Sequence, residues 1–188
     1  MQDAIANKPI DNVETTTAEN VNNCITTILK PEFPKPFEET KWLVMSSCTF
    51  LIPAVYAFVS SLYLYGCVSL FTSLLSCNHW RNAEDGVRRA IDCHAARVGF
   101  LIYAVSAFMY SSGMFLYGIV IPVISIVVTL FFISNHLSIQ GHPRWHFVHA
   151  AFHLFVTVGS CIVIYSVIKT YDERNQLEDC VAPTSLII

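Results

Sequence analysis

Charge is scarce in this chain: Asp, Glu, Lys and Arg make up 13% of its 188 residues, while 54% are apolar. That balance is too apolar for a soluble fold of this size and points to an integral membrane protein of one domain. Cys-x-x-Cys strings are absent. The seven cysteines (Cys24, Cys48, Cys67, Cys77, Cys93, Cys161 and Cys180) are scattered, so neither a disulfide framework nor a thiolate metal finger is expected. The first 41 residues lack an apolar run of signal-peptide length behind a basic start. No cleavable signal peptide is expected, and the first span serves as the insertion signal. No nucleic-acid partner is expected; membrane lipids are.

Residues 1–41 are rich in Thr, Asn, Glu and Pro, and Pro31, Pro34 and Pro36 crowd one short stretch. That composition predicts an extended, disordered tail. Charge then vanishes from Trp42 to Cys77 and again from Val98 to Asn135. Either run as one helix would measure about 54 Å against a hydrocarbon core of about 30 Å, so each must double back. Ser60 and Ser61 in the first run, and Ser111, Ser112 and Gly113 in the second, are the expected turns. The reading is all-α, a polytopic membrane helix bundle of about five transmembrane helices. The spans are expected near 42–59, 61–78, 97–112, 115–135 and 146–168, within a domain over 42–169. A short polar tail over 170–188 follows.

With five spans, residues 1–41 and the loops at 78–97 and 135–146 share one side. That side collects Lys8, Lys30, Lys35, Lys41, Arg81, Arg88, Arg89, Arg97 and Arg144, whereas the other receives Lys169 and Arg174. The asymmetry places the N-terminus and the histidines in the cytoplasm and the C-terminus in a lumen or outside the cell. His79 closes the second span, His94 opens the third, His136 closes the fourth and His142 opens the fifth, so every histidine belongs to one membrane face.

Five of the seven histidines fall between His136 and His153. If Pro143 opens a helix, His142, His146, His149 and His153 follow at steps of four, three and four and fall within a stripe of roughly 60°. Imidazoles suit zinc, and a catalytic zinc commonly takes three protein ligands and a water. His142 with His146, or His149 with His153, supplies an i,i+4 pair, and His79 a third ligand. Asp92 is placed to orient or deprotonate a zinc-bound water, and Ser73 or Ser76 to hydrogen-bond that water or an oxyanion. A single haem between two facing histidines is the weaker cofactor reading, because a two-haem cytochrome needs ligands toward both faces.

The strings SLLSCNHW (73–80), RRAIDCHAAR (88–97) and GHPRWH (141–146) resemble the CREST superfamily of membrane metal-dependent hydrolases, which includes alkaline ceramidases and the progestin and adiponectin receptors. The resemblance covers about 130 residues. It implies zinc held by His79, His142 and His146, with a serine near His79 and Asp92 beside the bound water. Three departures accompany it. The family generally has seven spans against the five expected here. Leu75 stands where the family has serine, with Ser73 and Ser76 nearby and Cys77, an alternate ligand, four residues after Ser73. HAAFH (149–153) is a second HxxxH, so His149 and His153 are alternate ligands; HPRWH is preferred because it lies at the mouth of its span.

Each residue also has a plainer reading. His142 with Arg144 and Trp145 makes an ordinary interfacial anchor, His79 beside Trp80 another, and His146, His149 and His153 are candidates for helix packing. Asp92 can pair with Arg88 or Arg89, and His94 and His136 read as loop residues. Two functional expectations result. One is a zinc-dependent hydrolase of a lipid amide or ester; the other is a non-catalytic structural or receptor-like membrane protein, such as an accessory subunit of a membrane complex.

Overall fold

A computed structural model describes residues 37–181, with side chains through Glu178. The described residues form helices and no strand. Five run in sequence: α1 (Phe37–Val59), α2 (Tyr63–Arg81), α3 (Val87–Tyr110), α4 (Gly113–Ile139) and α5 (Trp145–Val181). All but α2 are long and apolar enough to cross a membrane, and the chain is an integral membrane protein. The tail expected over 1–41 lies outside the described residues as far as residue 36.

The expected turns at Ser60–Ser61 and Ser111–Ser112 are where the chain reverses. Ser61 takes the left-handed conformation (φ 60°). There the Leu62 N–H reaches the Ala57 carbonyl at 2.8 Å and the Ser61 N–H the Phe58 carbonyl at 3.1 Å, a Schellman ending. α4 ends the same way at Gly141 (φ 65°), with His142 N–H on the Leu137 carbonyl at 3.0 Å. The positive φ suits glycine and stops the helix there.

Helix ends differ from the hydropathy boundaries. α1 opens at Phe37 inside the expected tail, with Glu38 and Glu39 in its first turn, where carboxylates complement the helix dipole. α3 opens at Val87 rather than near 97, because VRRAIDCHAAR is helical although charged. His94 and His136, expected in loops, therefore sit on α3 and α4 and are exposed. α5 continues through the expected polar tail to Val181, a length of about 55 Å that exceeds the hydrocarbon core. Absence of charge marks what lies in lipid, not where hydrogen bonding along a helix stops.

Two prolines leave local marks. Pro53 has no N–H to give the Thr49 carbonyl, and just before it Cys48–Phe50 tightens to a 3-10 turn. Leu51 N–H goes to the Cys48 carbonyl, and the Ser47 carbonyl takes the Ser73 hydroxyl of α2 at 3.0 Å. Ahead of Pro122, Leu116–Val120 widens to a π turn.

Helices α1, α2, α3 and α5 pack in a closed ring, α1 on α2, α2 on α3, α3 on α5 and α5 on α1, with α4 flanking α5. Apolar side chains face outward: Met114, Val59, Val87, Met109 and Phe71 are exposed. Inside, the ring is lined with hydroxyls, as expected where lipid and Leu are equally apolar and helices associate through small and polar residues. Tyr65 of α2 donates to Ser106 of α3 at 2.7 Å, Ser69 meets the Tyr103 hydroxyl at 2.7 Å, and Thr49 of α1 meets Thr157 of α5 at 2.8 Å. Two apolar clusters close the ends. Ala57, Tyr65, Ala107, Val120, Val163, Ile164 and Val167 bring all five helices together at one. At the other, Leu43, Trp80, Ala83 and Trp145 sit beside the histidines.

Candidate functional site at the histidine end

The last turn of α2, the first turns of α3 and α5, and the middle of α1 meet at one end of the ring. His79, 2% exposed, closes α2 with its ring 4.5 Å from Trp80. Trp80 lies 5.1 Å from His149 and 5.9 Å from Trp145, joining α2 to α5. His149 and His153, one turn apart on α5, hold their rings 4.8 Å apart, and the Trp80 ring contacts both His79 and His149. Three imidazoles are thus arrayed along a buried seam.

Hydroxyls position two of these rings. Ser134 of α4 lies 2.8 Å from His149 Nδ1. Ser46 of α1 lies 2.9 Å from His153 Nδ1, and Ser47 3.5 Å from it. Ser46 Oγ stands between His153 Nδ1 and the Leu43 carbonyl, 3.1 Å away; with its proton directed to that carbonyl it accepts from His153 Nδ1–H, and with its proton directed to the imidazole it donates to Nδ1. The first arrangement leaves the His153 Nε2 lone pair bare, as in a metal-ligating histidine. The Ser47 hydroxyl lies 2.7 Å from the same carbonyl and 3.0 Å from Ser76 Oγ. Asp92 of α3, 8% exposed, stands beside Ser76. A string of side chains, Asp92, Ser76, Ser47, His153, therefore crosses from α3 through α2 and α1 to α5.

The sequence-named residues divide accordingly. Asp92, Ser76, His79, His149 and His153 belong to this buried end. Arg89 pairs with Asp85, and Asp92 lies beside Ser76. Ser73 sits one turn deeper and caps the Ser47 carbonyl. Cys77 Sγ points to the Val44 carbonyl at 3.6 Å and to Cys48 Sγ at 3.7 Å. His142 is not on the α5 face: the helix opens at Trp145, two residues after Pro143, because Gly141 and the turn that follows precede it. His142 is exposed, with Nδ1 accepting the Arg144 N–H at 3.2 Å. His146 stands in the first turn of α5 with its ring 4.2 Å from Phe147. Ser46, Ser47 and Ser134 are not singled out from the sequence, and Trp80 only as an interfacial anchor, although adjacent serines in an otherwise apolar span are a signal of interior polarity.

Three imidazoles are a donor set that fits zinc in kind, and His149 and His153 also fit it in spacing. Among the described residues, however, no three His, Cys, Asp or Glu side chains gather closely enough to hold a metal ion. Trp80 Nε1 is buried there with no hydrogen-bond partner among the described residues, a donor available to an acceptor oxygen. A cavity of about 140 Å³ lies instead at the opposite end, between Tyr110, Phe115, Tyr165 and Lys169, away from these groups. No family model, curated protein or solved structure matches the chain.

Proposed function

We propose that the chain is a zinc-dependent hydrolase of a lipid amide or ester, resembling the CREST superfamily, with His149 and His153 as the pair that would hold the ion and His79 as the third imidazole that would have to move in to complete the set. The observation that carries this reading is the buried string from Asp92 through Ser76 and Ser47 to His153, beside His149. It favours the second HxxxH over His142 and His146. Zinc, when bound, supplies a Lewis acid and an acidified water. The remaining work falls to the chain. Asp92, oriented by Ser76, takes a proton from the attacking water and returns it to the leaving amine or alcohol. The Trp80 indole N–H donates to the oxygen on which negative charge develops. Ser46 fixes the His153 ring. A buried site among membrane helices suits an acyl lipid, and the Lys and Arg asymmetry supports a cytoplasmic position for this end, with the C-terminus in a lumen or outside.

The test is elemental analysis of detergent-purified protein together with release of fatty acid from a ceramide and a lysophospholipid. About one zinc per chain in the wild type and in His146→Ala, lost in His153→Ala, supports the assignment. Retention in His153→Ala with loss in His146→Ala returns the site to the first HxxxH. A second reading keeps the bundle without the reaction, as a receptor-like or structural subunit. The lack of three gathered ligands among the described residues favours it, and a metal-free protein with intact fold would decide for it.

A further inference from the structure

Cys48 lies on the 3-10 turn of α1 and Cys77 on the last turns of α2, with their sulfurs 3.7 Å apart. Both are free thiols. They are the one pair among the described cysteines whose sulfurs are in contact. Cys77 precedes Arg81, the end of its helix, by four residues, about 6 Å, so the pair lies near a membrane surface rather than at mid-depth. Cys48 is exposed and Cys77 half-buried. Each adjoins a serine of the buried string: Ser47 precedes Cys48, Ser76 precedes Cys77, and those two hydroxyls are 3.0 Å apart.

We propose that Cys48 and Cys77 are a dithiol site oxidised by hydroperoxides, closing to a disulfide that fixes α1 to α2 beside the Ser47–Ser76 contact. The sulfurs, 3.7 Å apart, need to approach by about 1.7 Å to reach a bond of about 2.05 Å. The exposed Cys48 sulfur attacks the terminal peroxide oxygen. The O–O bond breaks, an alcohol leaves, and Cys48 becomes a sulfenic acid. The Cys77 sulfur then attacks the sulfenyl sulfur and water leaves with the thiol proton. Two thiols and one hydroperoxide give one disulfide, one alcohol and one water, with two electrons passing from sulfur to the peroxide bond. Acyl-lipid hydroperoxides are the class of oxidant that reaches a lipid-facing thiol at this depth.

The decisive measurement does not require activity. The full chain in lipid nanodiscs is treated with cumene hydroperoxide, its remaining thiols are alkylated, and the digest is analysed by mass spectrometry before and after dithiothreitol. A dithiothreitol-sensitive Cys48–Cys77 cross-linked peptide, formed before Cys67 or Cys93 reacts and absent in Cys48→Ser and Cys77→Ser, is expected. Sulfinic acid at Cys48 with Cys77 still alkylatable overturns the proposal. So does oxidation of all the cysteines at similar rates without that cross-link. An effect on turnover rests on the hydrolase reading. If lipid is hydrolysed, oxidation should lower the rate at least fivefold, reversibly, and Cys48→Ser should keep the basal rate and be insensitive. A rate indifferent to the formed cross-link refutes the coupling, whereas a chain without hydrolase activity refutes the other reading and leaves the peptide result to decide this one.

Discussion

Replacing Ser46 by alanine removes a hydroxyl that lies 2.9 Å from His153 Nδ1 and 3.1 Å from the Leu43 carbonyl. Hydrogen bonds between helices within membrane bundles contribute about 0.6 kcal/mol on average and up to about 1.7 kcal/mol. The Ser46–His153 contact is short and both partners are buried, so its share should fall toward the middle of that range. A double-mutant cycle of Ser46→Ala and His153→Phe should therefore return a coupling of about 1 kcal/mol. The Leu43 contact is lost in both backgrounds and cancels. Ser47, 3.5 Å from the same nitrogen, is placed to recover part of the loss, so the coupling should rise when the cycle is repeated in Ser47→Ala. Reversible unfolding in mixed micelles is followed by tryptophan fluorescence, because Trp80 and Trp145 lie 5.9 Å apart at this end of the bundle. A coupling below about 0.3 kcal/mol, where distant sites already add, would refute the assignment of Ser46 as the group that holds the ring.

Further outcomes follow from other contacts. Pro53→Ala restores an N–H that can reach the Thr49 carbonyl, so α1 should regain regular α-helical pairing and Ser73→Ala, costing about 1 kcal/mol in the wild type, should become nearly neutral in that background; paired unfolding curves measure this. A Cβ at Gly66 would stand 2.7 Å from the Phe58 ring, whereas one at Gly118 meets nothing within 4 Å. Gly66→Val should lose about 1–3 kcal/mol and Gly118→Ala should be tolerated, as read from thermal unfolding in detergent. Ile164→Ala, at a fully buried position in the five-helix cluster, should cost about 2–5 kcal/mol, against little for Met114→Ala on the lipid face, 91% exposed. Lys169 and Glu173 form an exposed pair at 3.7 Å, and its removal should change stability by less than about 0.5 kcal/mol.

The helical bundle and both tight reversals are legible in the charge-free runs and their serines, because lipid admits few alternatives to a helix and a helix of fixed rise must turn within the bilayer. Helix ends are not legible in the same way. Val87 to Arg97 is charged yet helical, and the polar stretch after Lys169 continues α5. At the histidine end, the gathering of His79 and Asp92 follows from counting spans. Which HxxxH string lies wholly on α5 does not, because it turns on where α5 opens, and the left-handed Gly141 delays that opening past His142. Nor do Ser46 and Ser134 announce themselves: a serine in an apolar span looks alike whether it faces an imidazole or its own backbone, and only the packing of α1 and α4 against α5 separates the cases.

Of the five helices, α2 alone is not apolar enough to be recognised as a span by composition, since Ser69, Thr72, Ser73, Ser76, Asn78 and His79 line it. The residues that build the candidate site thus make their own helix a poor substrate for the insertion machinery. If α2 crosses the bilayer, it would have to enter as the second arm of a hairpin paired with α1. Truncating α1 should strand His79 in water even though every ligand-bearing segment is still translated.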